Sequence, residues 1–310
     1  MFYHKPVLLE ECIEGLNIKF NGIYVDGTLG LGGHSRYIAR KLTAGKLISI
    51  DRDINAINMA KERLSDLNNV VYIHDNHYNI ESILKKLDVD KVDGILLDLG
   101  VSSYQLDDGS RGFSYMKDAK LDMRMNTSDE LTAYDVVNNY SEEGLAKIFF
   151  EYGEERYSKR IAKKICEYRE KKSIDSTLEL VEIIKSSVPA KALHEKQHPA
   201  KRVFQAIRIE VNSELIGLKE AIIGCIRVLK DGGRLAIISF HSLEDKIVKH
   251  TYEMMQGKCT CPSDFPVCIC NYKSYGKIVN KKPIEALDNE LEDNHRARSA
   301  KLRVFEKKEV

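Results

Sequence analysis

Four short apolar runs, each stopping at or beside an acid, constrain this chain more than any other feature. They are Gly22-Ile-Tyr-Val-Asp26, Lys46-Leu-Ile-Ser-Ile-Asp51, Val70-Val-Tyr-Ile-His74 running into Asp75, and Val92-Asp-Gly-Ile-Leu-Leu-Asp98. Runs this brief and this apolar read as strands covered on both faces. Helix-like segments lie between them: Arg36 to Leu42, then a stripe of Ile54, Ile57, Ala60 and Leu64. Strand and helix alternating in this way predict an α/β fold with a doubly wound parallel sheet. Such sheets bind ligands beyond the carboxyl ends of their strands, which is where the acids fall.

The first run opens into Gly27-Thr-Leu-Gly30-Leu-Gly32-Gly33-His34-Ser35, a glycine-rich turn ahead of a helix expected from Ser35 onward. Gly27, Gly30, Gly32 and Gly33 permit positive φ and a close backbone approach to a ligand, and the helix start behind them offers N–H groups. A triphosphate-binding loop would end in Gly-Lys-Ser/Thr, and here the glycines run into His34-Ser35. A nicotinamide site prefers GxGxxG, whereas this spacing is GxxGxGG with Asp26 directly ahead. A carboxylate repels a pyrophosphate but suits the cationic sulfonium of S-adenosylmethionine. Asp51, closing the second strand, is placed for the two ribose hydroxyls of an adenosine ligand. In the third loop His77 or Tyr78 is placed to stack on an adenine, with Asp75 at its edge.

At 310 residues the chain has room for about two domains. The pattern of strands breaks after Leu106: a turn-rich loop, Asp107 to Ser114, leads into helical stretches with no strand between them. One face carries Leu145, Ile148, Phe149 and Tyr152, the next Tyr157, Ile161, Ile165 and Tyr168, and Ser176-Thr-Leu-Glu179 fits a capping box. Residues 107–203 therefore read as a helical insertion between core segments 1–106 and 204–310. The formal net charge is only +1, yet Arg156 to Arg202 holds 13 Lys/Arg against 6 Asp/Glu. Arg156, Arg160, Lys163, Lys164 and Lys171 would form a basic surface, fit for a polyanion or simply for water. Phe204, Ile207, Val211, Leu215, Leu218 and Ile222 form one helical stripe in the resumed core, Asp231-Gly-Gly a turn, and Arg234 to Phe240 a fifth strand. Ser242 is expected to cap the next helix, and Arg298 to Phe305 to form the edge strand.

The amino terminus has only Val7-Leu8-Leu9 before two glutamates, which is no signal peptide, and no apolar run reaches membrane-spanning length. A cytoplasmic protein with no membrane partner is expected. Seven cysteines, an odd number, argue against a disulfide framework. Cys259, Cys261, Cys268 and Cys270 form two close pairs that a tetrahedral zinc would accept, but CxC is a tighter bite than the usual CxxC, and no metal is assigned. His4 stands near the start, as a polar lid on a ligand or as a surface histidine.

Across nearly its whole length the chain resembles the RsmH (MraW) family of bacterial small-subunit rRNA methyltransferases. The motifs that carry the resemblance include Asp26 to Ser35, Asp51-Arg-Asp53, Asp98-Leu-Gly-Val-Ser-Ser103 with Gln105-Leu-Asp107, and Arg111-Gly-Phe-Ser114. Leu121-Asp-Met-Arg-Met125, His198-Pro-Ala200, Ser239-Phe-His-Ser-Leu-Glu-Asp245 and Arg296-Ala-Arg-Ser299 continue it. The resemblance implies a Rossmann-like class I methyltransferase core with an inserted helical substrate domain. It implies S-adenosyl-L-methionine as donor and N4-methylation of a decoding-centre cytidine of 16S rRNA, within the 30S subunit or its precursor. By position it implies donor contacts at Gly32, Gly33, His34, Asp51, His77, Asp98 and Gln105. Relatives commonly carry an aromatic ring where this chain has His77.

The exocyclic amine of cytosine is a poor nucleophile that must be aligned with the methyl group and relieved of a proton. Asp98, at a strand tip, is the first candidate acceptor, with a structural or adenine-contacting role as the alternative. His241 is a candidate proton relay, or a loop histidine that fixes a strand end. Tyr104, Phe113 and Tyr115 either stack on the target base or pack in a core. The competing reading of the whole chain is a non-catalytic, nucleotide-sensing RNA-binding module.

Overall fold

The computed structural model describes residues 6–193, 195, 197–257, 261 and 273–308. His4, Cys259, Cys268 and Cys270 lie outside the described residues, and with them the lid and the zinc arrangement. The chain divides into two units, Met1–Gly100 with Leu215–Val310, and Val101–Glu214.

The first unit holds a sheet of β1 (Ile23–Asp26), β2 (Lys46–Asp51), β3 (Val70–His74), β4 (Val92–Asp98), β5 (Leu229–Ser239), β6 (Gly276–Ile278) and β7 (Lys301–Lys307). Their order is β3-β2-β1-β4-β5-β7-β6; the first five run parallel, and β7 is antiparallel to both β5 and β6. The apolar runs split by parity, as a period of two requires. Val25, Ile48, Ile95 and Leu97 enter one core with Ile80, Ile83, Leu84, Leu218, Ile222 and Ile226 from the helices on that side. Tyr24, Leu47 and Leu96 enter the other with Cys12, Leu16, Ile38 and Leu42. Both faces are dry along β1, β2 and β4, so those runs have no polar alternation to show; β3, at the edge of the sheet, is only half-buried, contrary to the expectation of cover on both faces. Register pairs Asp26 with Ser49, Asp51 with His74, and Asp26 with Leu96, which brings the first four strand tips to one edge. The order reverses between β1 and β4, so that edge is the switch point where open α/β sheets take ligands.

Three expectations are corrected here. The terminal strand β7 is not the edge: the three-residue β6, too short for a pattern to register, pairs outside it. The Asp231-Gly232 turn is a bulge inside β5, whose pairing with β4 passes from Val92↔Leu229 to Gly94↔Arg234. The single helical stripe from Phe204 to Ile222 is two helices, Ala200–Asn212 and Leu218–Val228, separated by Ser213 at φ 50° and Gly217 at φ 79°.

Among its described residues the second unit has helices and no strand, with Ala133–Asn139, Glu142–Glu151, Ser158–Arg169, Thr177–Ser187 and Ala200–Asn212 as its longer elements and an irregular stretch over residues 112–132. Leu145, Phe149, Ile161, Ile165, Leu180, Ile184, Val203, Phe204 and Ile207 make its core. Phe204 and Ile207 are buried there, and the helix that carries them belongs to this unit, so the unit extends past the expected end at 203. The capping box at Ser176 is half formed. Ser176 Oγ accepts from Glu179 N at 3.4 Å, but Glu179 turns its carboxylate to Asp175 N, Tyr168 Oη and Lys172 Nζ. Among the described residues no helix is long and apolar enough to cross a membrane.

Candidate active site

The turn after β1 is held from within. Asp26 is 1% exposed; its carboxylate accepts from Ser35 Oγ at 2.6 Å and Thr28 N at 3.1 Å, while Ser35 Oγ also meets Ser49 Oγ at 2.9 Å. This acid spends its hydrogen-bonding capacity on the turn, and it adds only its field to whatever lies outside. Burial pushes its carboxyl up, against the bonds from Ser35 and Thr28. The helix that follows is Gly33–Lys41, two residues earlier than expected, with Gly32 as its N-cap at φ 78° and no side-chain cap. At Gly32 only glycine fits twice over, since a Cβ would lie 2.8 Å from Leu64 Cδ1 as well as straining the backbone.

Asp51 closes β2 with one backbone donor on each oxygen: Gly30 N at 2.7 Å and Asp53 N at 2.8 Å. A carboxylate oxygen has two lone-pair sites, so each keeps one open, a geometry that matches a pair of neighbouring hydroxyls. Burial pushes its carboxyl up to about 6, opposed by those two N–H bonds. The third loop starts a short 3-10 turn, His77–Asn79, in which the His77 ring stands edge-on to Tyr78 at 4.8 Å. Its Nε2 is buried without a partner among the described residues, and burial, with the Arg52 charge adding, pushes the ring down to about 3. The ring is therefore neutral, as stacking beside a cation-bearing ligand prefers. Asp75 is occupied by Asn76 N and Asn79 Nδ2 at 2.7 and 2.8 Å.

Asp98 ends β4. Its backbone N–H donates to Thr28 Oγ1 at 2.6 Å, its Oδ2 lies 3.6 Å from His34 Nδ1, and its Oδ1 is buried with no partner among the described residues. Burial pushes this carboxyl up to about 6, with His34 opposing and Asp26 and Glu244 adding. His34, in the first turn of Gly33–Lys41 and 6% exposed, bonds through Nε2 to the Val7 carbonyl at 3.0 Å. Thr28 and the Val7 carbonyl were not singled out in the sequence; Thr28 stands inside the glycine motif, and a backbone carbonyl leaves no trace in a sequence.

His241 stands at the start of a helix. It, and not Ser242, is the N-cap of Ser242–Gln256, with Nδ1 accepting from Glu244 N at 3.4 Å. Its Nε2 is 3.2 Å from Glu244 Oε1 without hydrogen-bond alignment, and Glu244 Oε2 accepts from Phe240 N at 2.8 Å. An imidazole whose Nδ1 accepts carries its hydrogen on Nε2, so this ring has no lone pair left to take up a proton while it caps. The structure thus brings Gly32, Gly33, His34, Asp51, His77, Asp98 and His241 into the first unit. Gln105 belongs to the second, where its Oε1 accepts from Ser102 N at 3.0 Å and closes a capping box on Ser103–Asp107.

In the second unit Phe113 is core, and Tyr115 packs on His198 at 4.8 Å and on Phe204 at 5.9 Å. The motifs around them are architectural: Arg111 donates to the Arg124 and Met125 carbonyls, and buried Asn212 bridges Met123 O, Met125 N and Arg208 O. On the basic helix Ser158–Arg169, Lys163 and Lys164 share Glu167, and Arg156 pairs with Glu195 while lying 4.7 Å over the Tyr157 ring.

A family model described as the MraW methylase family matches residues 1–308. Proteins named ribosomal RNA small subunit methyltransferase H from Clostridium botulinum, strains 657 / Type Ba4 and Kyoto / Type A2, are each 59% identical over 307 residues, covering 99% of this chain and 99% of the relative. Among solved structures, an rRNA methylase from Streptococcus thermophilus aligns over 100% of both chains at 12% identity with a TM-score of 0.41, too distant a likeness to bear on function.

Proposed function

The chain belongs to the MraW methylase family, and from that premise we propose that it transfers the methyl group of S-adenosylmethionine to N4 of a cytidine in the decoding centre of 16S rRNA. Membership makes it an rRNA methyltransferase, and turnover is favoured over the non-catalytic RNA-binding module. The donor supplies an electrophilic methyl on a cationic sulfur. Around the β1/β4 switch, Asp26, Asp51 and Asp98 provide the negative field such a cation needs. Asp51 would take the ribose hydroxyls on its two open lone pairs, neutral His77 would lie against the adenine, and Gly32, Gly33 and His34 would line the turn.

The observation that carries the reading is Asp98, an acid at the switch-point tip with one oxygen unpartnered and its basicity raised by burial. An amine acceptor must lose a proton as it gains a methyl group, and a carboxylate of raised basicity suits that loss. Methylation at C5 of a pyrimidine instead needs a thiolate nucleophile. Cys12 and Cys225 are fully buried, and burial pushes both thiols up, Cys225 to about 12, so neither is a thiolate. Base access requires the target to be flipped or single-stranded. The exposed Arg160, Lys163, Lys164 and Lys171 are proposed to meet the rRNA backbone.

The test is to incubate the protein with labelled donor and either 30S particles or naked 16S rRNA, digest the RNA, and identify the labelled nucleoside. N4-methylcytidine from a single position supports the reading. Label in 5-methylcytidine, in a ribose or in adenosine overturns the choice of N4.

A further inference from the structure

Two histidines flank the acids of the switch edge, and their hydrogen bonds fix them in opposite tautomers. His241 accepts at Nδ1, so its hydrogen is on Nε2. His34 faces a carbonyl at Nε2, and a carbonyl only accepts, so here Nε2 must donate and the neutral ring keeps a lone pair on Nδ1. That lone pair is 3.6 Å from Asp98 Oδ2. The Asp98 side chain is 27% exposed although its Oδ1 is buried, so Oδ2 is the oxygen that an acceptor amine can reach.

We infer that His34, and not His241, is the proton-relay partner of the transfer, drawing through Asp98 Oδ2 the proton that the methylated amine gives up. The inference rests on the proposed amine acceptor. As the bond from N4 to the methyl carbon forms, the carbon–sulfur bond breaks and sulfur keeps the electron pair. N4 then carries one hydrogen too many, which passes to Asp98 Oδ2. From there it passes to His34 Nδ1, leaving carboxylate and imidazolium side by side and releasing neutral N4-methylcytosine. His34 acts through Asp98 and is a positioning residue for it.

The surroundings favour this holding place. Asp26 from the β1 tip, Glu244 from the helix Ser242–Gln256 and the Cys12 thiol from the helix Leu9–Leu16 all interact electrostatically with Asp98, and Asp26 also with His34. Asp26 and Glu244 push the Asp98 carboxyl up and His34 opposes them, so the ring beside Asp98 is what lets the carboxylate form again after it has taken the proton. The Val7 carbonyl fixes the ring's orientation before and after the proton arrives.

The test compares His34→Gln, which keeps a donor toward Val7 but has nothing at the Nδ1 position, with His34→Asn, which places an amide near Nδ1. Expected for His34→Gln is a kcat lower by about tenfold or more, for the loss of a group that takes up the proton. Affinity for S-adenosylhomocysteine, whose turn His34 lines, should fall by less than kcat does. The acid limb of the kcat profile should move to higher pH, because His34 no longer lowers the Asp98 carboxyl. An unmoved acid limb, or a loss confined to donor affinity, overturns the inference. So does full activity in His34→Gln with loss only in His34→Asn. A readout independent of any substrate is the ring nitrogen resonances of His34 in the free protein, with Nε2 protonated and Nδ1 bare in the neutral ring. If those resonances are as stated and no cytidine is methylated, the proposed acceptor fails and the tautomer assignment stands. If Nδ1 carries the hydrogen, the relay fails whatever the substrate.

Discussion

The sheet unit and the helical unit use buried polar side chains in opposite ways. At the strand tips of the first, hydrogen-bonding capacity is left over among the described residues: Asp51 keeps two open lone pairs, Asp98 Oδ1 and His77 Nε2 have no partner there, and His34 holds a lone pair toward an acid. In the second unit, Arg111 and Asn212 are buried and committed to backbone groups of residues 123–125 and Arg208, as braces of a segment with no regular structure. An unspent buried acid has raised basicity and costs stability; a spent amide has neither property. The contrast separates chemistry from architecture within motifs that look equally polar in sequence.

The largest effect that could break this contrast is at Asp98. Asp98→Asn should lower methyl transfer by about a hundredfold or more, read from labelled methyl incorporated into 30S particles. Activity within a few-fold of the parent would remove Asp98 from the chemistry. Next comes Asn212→Ala, which strands Met125 N and Met123 O in the helical core. A loss of about 2–4 kcal/mol is expected in urea unfolding, with affinity for S-adenosylhomocysteine changed little. A variant as stable as the parent would show that the brace is ornamental.

Asp98→Asn also sharpens the comparison from the other side. Its folded carboxyl is raised to about 6 by burial, so ionisation costs stability above that pH, and below the ordinary carboxylate range both states are protonated and the cost vanishes. The variant should therefore be more stable than the parent by about 1–3 kcal/mol at pH 7, with the gain fading toward pH 4 in urea titrations. A destabilised variant would mean that the ionised carboxylate is compensated. The smallest effect is expected on the helical surface. Arg160→Glu with Lys163→Glu should weaken rRNA binding and reduce its dependence on salt, by roughly 0.7 to 0.9 in slope for each phosphate that is no longer neutralised. An unchanged slope would mark the basic face as a solubilising surface.

What the sequence made legible follows the same division. Strands buried on both faces announce themselves as apolar runs, and glycines before a helix announce a turn, so β1 to β4, the switch edge, and Asp51 and Asp98 at its tips could be read directly. Asp26 looked like a ligand-facing acid because a sequence does not show that Ser35 and Thr28 consume it. The cap at His241 and the tautomer at His34 depend on single partners, Glu244 N and the Val7 carbonyl, and no periodicity encodes such pairings. Nothing in the sequence marked Asn212, since its partners at Met123 and Met125 are distant in the chain. The break between Ala200–Asn212 and Leu218–Val228 was hidden because apolar spacing continued across it.

The most direct measurement is a crystal structure with S-adenosylhomocysteine and cytidine bound. Both ribose hydroxyls are expected on the two Asp51 oxygens, and the cytosine amine within hydrogen-bonding reach of Asp98 Oδ2. Ribose held elsewhere, or an amine turned away from Asp98, would contradict that arrangement.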